Sequence, residues 1–259
     1  MTVISSDFPT HVAGIILRER MTFQWIITHD DEQRYREFVT KYAEDPWVTE
    51  RLKRNVHRTS VDISVGNVWR RVVCCLLTTQ QKSGRGSRVG QLIKEDGKLF
   101  SFTFCRESDH LAAVAKEVLQ QAGLRRSERI PAEIAHAMSV FKESWEEFEL
   151  AIRNLCDRPH AKTERDMARW IQAKFKGFGP KQSRNLLQWL GLSQHEIPLD
   201  SRMMKVLKEL NFPVPLSASA LADEAYYCFV EDGIHTVLGR IGVIPCVFDA
   251  CVFARFERH

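Results

Sequence analysis

The sequence lacks the features that mark a membrane-spanning or secreted protein. It has no run of 18 apolar residues, and its opening segment, MTVISSDFPTHV, lacks the basic and apolar regions of a signal peptide. The 7 cysteines are an odd number without CxxC spacing, and Cys74 and Cys75 are adjacent, so buried thiols are expected rather than a disulfide framework. We therefore predict a cytoplasmic protein that has no membrane partner.

Charge of one sign is not in large excess either. The 37 Lys and Arg residues and 33 Asp and Glu residues leave a net charge of only +4. A polyanionic partner would therefore be bound by local clusters of basic residues, not by the charge of the whole chain. Lys82, Arg85 and Arg88 form the best candidate cluster, because glycines and serines alternate with the charges there.

Helical periodicity, by contrast, is present from about residue 60 to the end of the chain. Apolar residues recur at steps of three and four over 165–175, which predicts an amphipathic helix. Two runs, 98–105 and 22–28, alternate weakly between polar and apolar residues, and both are short enough to be either extended segments or the edges of helices. We predict that the first 60 residues pack on the helical core through their aromatic side chains, which are Trp25, Phe38, Tyr42 and Trp47.

The most informative stretch is residues 175–207, which sets a lysine and an aspartate at a defined spacing. A turn at Gly177-Phe178-Gly179 precedes Pro180, which suits the first position of a helix, and Lys181 lies in the first turn of that helix. Asp200 follows 200 − 181 = 19 residues later, as the predicted N-cap of another helix. A tight turn at a helix N-terminus directs backbone N–H groups outward, which suits contact with a phosphate.

Each of these features is common on its own. A single GxG, an exposed lysine or a capping aspartate usually has a purely structural role. Their order, hairpin, lysine, turn, aspartate and helix, is much less common. It resembles the helix-hairpin-helix DNA glycosylases, and the match covers about residues 60–259, with 175–207 as its strongest part.

The resemblance implies a mainly helical, two-lobed fold. It places the hairpin at 165–190 within a glycosylase domain of residues 61–259, preceded by an N-terminal segment, residues 1–60, of uncertain structure. Gln80 or Gln81 would be the wedge that enters the duplex, at the end of the domain's first core helix. The run 245–256 resembles the family's terminal helix, from which Phe253 and Phe256 could reach a base pocket.

The resemblance also implies an activity. It is closest to the lysine-dependent 8-oxoguanine DNA glycosylases, in which the lysine, here Lys181, attacks the sugar and the aspartate, here Asp200, stabilises the positive charge that develops. The DNA backbone would be held by Gly177, Phe178 and Gly179, with Lys82, Arg85 and Arg88 nearby. The expected partner is double-stranded DNA with a modified base, bound by a monomer that would be nucleoid-associated in a bacterium.

The cysteines near the end of the chain bear on which cofactors to expect. Only Cys246 and Cys251 lie near the end of the chain, so the four-cysteine iron–sulfur site of some relatives is not expected. The resemblance allows a monovalent cation at the hairpin, and no other metal is predicted.

Two alternatives stay open: the same fold acting on an alkylated, deaminated or phage-hypermodified base, or a hairpin that only binds DNA. The second would need neither Lys181 nor Asp200.

Overall fold

The computed structural model describes residues 24–59, 61–81, 84, 86–157 and 159–257. The predictions for residues 22 and 23, and for Lys82 and Arg85, lie outside these ranges. The helices are α1 His29–Tyr42, α2 Pro46–Arg51, a π-helix Leu52–Val56, α3 Val65–Leu77, α4 Arg88–Glu95, α5 Phe102–Glu107, α6 Leu111–Gln121, α7 Ile130–Asp157, α8 Ala161–Lys174, α9 Pro180–Trp189, α10 Ser201–Glu209, α11 Glu224–Ile241 and α12 Pro245–Glu257, with 3₁₀ turns at Lys98–Phe100 and Ala220–Ala222.

The predicted all-α class is confirmed, since the described residues contain no β-strand. Of the two alternatives for 98–105, the structure shows the helical one and not an extended segment. Lys98–Phe100 is a 3₁₀ turn and Phe102–Glu107 is a helix. Ser101 separates them and caps the second, because its hydroxyl accepts a hydrogen bond from the Phe104 N–H at 3.3 Å. The apparent alternation comes from two short helical turns that meet at a serine.

Two apolar clusters divide the described residues into two lobes. The first lobe, 61–192, contains α3 to α9, and its core is built around Trp69 and Phe141. The second lobe, 24–59 and 197–257, combines α1 and α2 with α10 to α12. Phe38 and Tyr42 are buried in this second cluster, whereas Trp25 is only partly buried against Phe212 and Phe229. The described part of the N-terminal segment is therefore an integral part of the second lobe.

A buried arginine links the two lobes through hydrogen bonds and ion pairs. Arg184, on α9 and 0% exposed, donates to Glu196 at 2.9 Å and to Glu224 at 2.8 and 2.9 Å, and it lies 3.3 Å from a Glu231 oxygen. Its guanidinium also lies 4.7 Å from the ring centre of Tyr227. Three of these four partners belong to α11, so the network fixes α9 of the first lobe against the second lobe.

No individual helix in the described part of the chain has both the length and the apolar character needed to cross a membrane. Helices α11 and α12 satisfy that test only when they are taken together, and they meet at an angle of 98°.

Candidate active site

The hairpin between α8 and α9 has a backbone that requires glycine at one position. Gly177 has φ of +86°, and a Cβ there would lie 2.7 Å from the Glu133 carboxylate and 2.8 Å from a Leu76 methyl carbon. Gly179 is different, because its φ is −106° and a Cβ would meet nothing within 4 Å. The Phe178 side chain is buried, with its ring centre 5.6 Å from that of Phe175. The turn 177–179 is thus anchored by Phe178 and offers a ligand mainly its backbone.

These two glycines provide a matched pair of substitutions. Gly177→Ala combines a left-handed backbone with a clash, so we expect the free energy of unfolding to fall by about 1–3 kcal/mol. Gly179→Ala should leave it within about 0.5 kcal/mol of the parent value, as for substitutions that disturb no contact. Urea titration followed by circular dichroism measures both. Equal losses in the two variants would contradict this account of the hairpin.

Lys181 lies in the first turn of α9, and its amine is only partly accessible. The nearest hydrogen-bond partner is the Gln182 side-chain oxygen, at 3.4 Å. Burial lowers the pKa of Lys181 below its ordinary value, and attraction to Asp200 offsets only part of this effect. The position therefore makes the neutral amine, which is the nucleophilic form, easier to reach than in a free lysine.

Asp200 is the N-cap of α10, as predicted. Its Oδ1 accepts from the backbone N–H groups of Arg202 and Met203 at 2.9 and 3.0 Å, and its Oδ2 accepts from the Arg202 guanidinium at 2.8 and 2.9 Å. Burial alone would raise the pKa of Asp200, but Arg202, the Met203 N–H and Lys181 together hold it below its ordinary value. A carboxylate that stays ionised therefore lies beside an amine that is readily deprotonated.

Lys181 and Asp200 line the same cavity, which has a volume of about 350 Å³. One wall is aromatic, since Trp47, 37% exposed, meets Phe253 edge-on with ring centres 4.8 Å apart. The remaining walls are mostly polar. The residues concerned are Glu50, Arg51, Arg54, Arg71, Thr78, Asn185, Gln188, Arg202, Asp249 and Glu257.

A broad groove runs over the mouth of this cavity, and Lys181 and Asp200 belong to both. The hairpin Gly177-Phe178-Gly179 forms one side of the groove, and the turn after α3 forms another. Four arginines also line it, namely Arg125, Arg126, Arg129 and Arg202. Groove, hairpin and basic side chains together form a surface suited to a phosphate backbone, with the lysine at the entrance to a side pocket.

The turn after α3 presents the two glutamines differently. Gln80 has a left-handed backbone, with φ of +57°, and its side chain is exposed beside the groove. Gln81 folds back and donates to the Leu77 carbonyl at 2.5 Å. The turn is held against α9 by Gln182, whose amide donates to the Cys75 carbonyl at 2.6 Å and to the Thr79 hydroxyl at 2.8 Å. Both wedge candidates line the groove, but Gln80 has the exposed side chain, whereas the Gln81 amide is bonded to the Leu77 carbonyl.

Two predicted site residues lie elsewhere. Arg88 does not line the groove, because its guanidinium donates to the Gly123 carbonyl at 2.7 Å. Phe256 does not line the cavity; it packs on the second lobe, with the Lys205 amine 5.8 Å and the Arg255 guanidinium 5.7 Å from its ring centre. Phe253, one helical turn earlier, is the residue of the pair that reaches the cavity.

Several cavity residues come from the N-terminal segment, to which the sequence assigned no site. Trp47 and Arg51 belong to α2, and Arg54 belongs to the π-helix that follows it. Asn55, in the same π-helix, is buried and donates to the backbone oxygens of Gln188 and Ser193 at 3.0 and 2.8 Å. This contact fixes the segment against the end of α9. Among the described residues, no group of three or more His, Cys, Asp or Glu side chains is placed to hold a metal ion.

The fold is shared with solved DNA glycosylases. The 8-oxoguanine DNA glycosylase of Thermotoga maritima superposes with a TM-score of 0.65 at 15% identity, over 88% of this chain and 98% of that one. The 8-oxoguanine DNA glycosylase of Methanocaldococcus jannaschii superposes with a TM-score of 0.63 at 14% identity, over 89% of this chain and 97% of that one. An 8-oxoguanine glycosylase/lyase of the same organism, in complex with a 15mer DNA containing 8-oxoguanine, superposes with a TM-score of 0.63 at 14% identity. The match covers 86% of this chain and 97% of that one. No protein-family model and no curated protein matches the sequence. The predicted helix-hairpin-helix glycosylase fold is therefore confirmed.

Proposed function

We propose that this protein is a DNA glycosylase with abasic-site lyase activity, and that Lys181 is its nucleophile. The observation that carries the proposal is the position of Lys181 and Asp200, which line both the cavity and the more open groove. The fold shared with 8-oxoguanine glycosylases supports it. A hairpin that only bound DNA would need neither a desolvated amine nor a cavity beneath it.

The first step is exposure of the base. A base within a duplex cannot be attacked, so its nucleotide must rotate out at a cost of a few kcal/mol. The hairpin N–H groups and the arginines of the groove would hold the phosphates, while Gln80 would enter the space left in the duplex. The everted base would occupy the cavity against Trp47 and Phe253.

The chemistry then follows at C1′ of the sugar. The neutral Lys181 amine forms a bond to C1′, the bond from C1′ to the base nitrogen breaks, and the base leaves with the electron pair and takes up a proton. The Asp200 carboxylate stabilises the positive charge on the sugar and can receive the proton that the amine loses. Ring opening gives an imine between Lys181 and the sugar. Loss of a C2′ proton then expels the 3′ phosphate.

We propose an oxidised purine such as 8-oxoguanine as the substrate, because the structural neighbours act on that base. An alkylated, deaminated or phage-hypermodified base is the alternative. The deciding test uses duplexes that carry each of these bases or an abasic site, incubated with the protein and borohydride. A covalent adduct on the abasic duplex and on at least one modified duplex is expected. If no duplex is trapped, the proposed function is lost.

The pKa directions also predict a pH dependence. Burial lowers the pKa of Lys181, whereas Asp200 raises it. The rate of adduct formation on an abasic duplex should therefore rise with pH and level off below the ordinary lysine pKa. In Asp200→Asn the raising influence is removed, so the inflection should move to lower pH while the maximal rate falls about 10²- to 10⁴-fold. An inflection that stays in place in the variant would show that Asp200 does not act on the amine.

A further inference from the structure

The charged groups of the cavity are almost completely paired. Arg51 binds Asp249 at 2.7 Å, Arg54 binds Glu50 at 2.9 Å, and Arg202 binds Asp200 at 2.8 Å. Apart from Lys181, the exception is Arg71, on α3. In the part of the chain that the structure describes, no carboxylate lies within ion-pair distance of it, and its buried Nε has no hydrogen-bond partner.

A second unpartnered donor lines the same cavity. The side chain of Gln188, on α9, is 2% exposed, and its Nε2 has no hydrogen-bond partner among the described residues. Its backbone carbonyl is occupied by Asn55, but its amide group is not used by the fold. A buried donor without an acceptor costs about 1–3 kcal/mol. Two such donors in one cavity indicate that a ligand supplies the acceptors.

The geometry points to a selectivity of this cavity: Arg71 and Gln188 donate hydrogen bonds to carbonyl oxygens of the everted base, so that neutral carbonyl-bearing bases are accepted and cationic alkylated bases are rejected. This inference rests on the proposed function and specifies its substrate class. A base with a carbonyl oxygen would satisfy the donors that the protein leaves open. A base with a positive charge would meet an unpaired guanidinium in a site of low dielectric constant, which is unfavourable.

The aromatic wall does not offset this repulsion. Aromatic faces can attract a cationic base, and Trp47 and Phe253 line the cavity. However, the Phe253 face is already covered by the Arg202 guanidinium, 4.4 Å from the ring centre, and Trp47 approaches Phe253 edge-on. The aromatic side chains therefore provide apolar contact that any base can use. Discrimination is left to the polar end of the cavity.

The test compares single-turnover release from three substrates. Two are duplexes with 8-oxoguanine or hypoxanthine, which are neutral and bear carbonyl oxygens. The third is DNA treated with dimethyl sulfate, which carries cationic 7-methylguanine and 3-methyladenine. The unaltered protein is expected to release at least one of the first two bases and to release the methylated bases at least about 10-fold more slowly, because both are cationic; 7-methylguanine keeps a carbonyl oxygen, so its slower release measures the effect of charge alone. Faster or equal release of the methylated bases, or no release of either carbonyl-bearing base, overturns the inference.

Substitutions of Arg71 and Gln188 test whether these two residues set the rate of base release. Arg71→Met should slow release of the carbonyl-bearing base by about 10- to 100-fold, as expected for a charged hydrogen bond. Its neighbour Arg70 is a matched control, because it pairs with Asp96 at 2.8 Å and does not line the cavity, so Arg70→Met should leave release unchanged. Gln188→Met should also slow release, but it should unfold no more easily than the parent, since its amide makes no contact that the fold needs.

The abasic duplex distinguishes failure of this inference from failure of the proposed function. It has no base to place in the cavity, so borohydride trapping on it should be the same for Arg71→Met, Gln188→Met and the parent. Equal trapping also shows that the variants are folded. If the parent traps nothing, the proposed function and this inference fall together. If trapping persists and neither variant slows base release, this inference alone is wrong.

Discussion

Lys181→Gln is expected to abolish both the borohydride-trapped adduct and strand cleavage at abasic sites. The reason is that the amine forms the bond to C1′, and removal of a nucleophile typically lowers turnover by four orders of magnitude or more, about 10⁴- to 10⁶-fold. The substitution should not destabilise the fold, because burial already disfavours the protonated amine. Gel separation of the adduct and thermal unfolding measure the two properties.

Lys176→Gln is the matched control for this experiment. Lys176 lies in the same hairpin, only five residues before Lys181, and its side chain is exposed. Its loss removes a positive charge from the surface without altering the cavity. We expect adduct formation at nearly the parent rate. Residual adduct in Lys181→Gln at the parent level, or loss of adduct in Lys176→Gln, would assign the nucleophile to another residue.

Arg184→Met is expected to destabilise the protein by about 3–5 kcal/mol, as for a buried ion pair that loses one partner. The side chain is 0% exposed, and its loss leaves Glu231 buried without its cation and Glu196 paired only with Arg165. Because α9 carries both Arg184 and Lys181, weakened attachment of the helix should also reduce adduct formation. Urea titration and trapping on an abasic duplex measure the two effects.

The pH dependence of that loss identifies its electrostatic origin. Burial and the neighbouring Glu196 already raise the pKa of Glu231 well above its ordinary value. A group with a raised pKa in the folded state contributes stability at low pH that is lost as pH rises. The deficit of Arg184→Met should therefore be smaller near pH 5 than near pH 8. Adding Glu231→Gln should recover part of it, and a deficit that is independent of pH would indicate lost packing instead.

The hairpin and its lysine could be predicted from the sequence because their signals are local. Two glycines, a proline at the first helical position and an aspartate before an apolar-periodic run each act on their own neighbourhood. The structure accordingly shows α9 beginning at Pro180 and Asp200 capping α10. The terminal helix, Pro245–Glu257, was expected only through the resemblance of 245–256 to the family's last helix.

The cavity could not be predicted in this way, because its walls come from distant parts of the chain. Trp47 and Arg54 are separated from Phe253 by about two hundred residues. No periodicity relates such positions. The sequence favoured the cluster of Lys82, Arg85 and Arg88, but only tertiary packing determines that Arg125 lines the groove while Arg88 binds a carbonyl. The sequence shows which residues are charged, but it does not show which way their side chains point in the fold.

The π-helix Leu52–Val56 makes the cavity sensitive to the number of residues before it. A π turn contains one residue more than an α turn, so removing a single residue would let the backbone continue as a regular α-helix. The residues before the deletion would then rotate about the helix axis by about 100° relative to the residues after it. Arg51, which contacts Asp249 from one end, and Asn55, which is anchored to α9 from the other, could not both keep their partners. At this point a change of length is more damaging than a change of side chain.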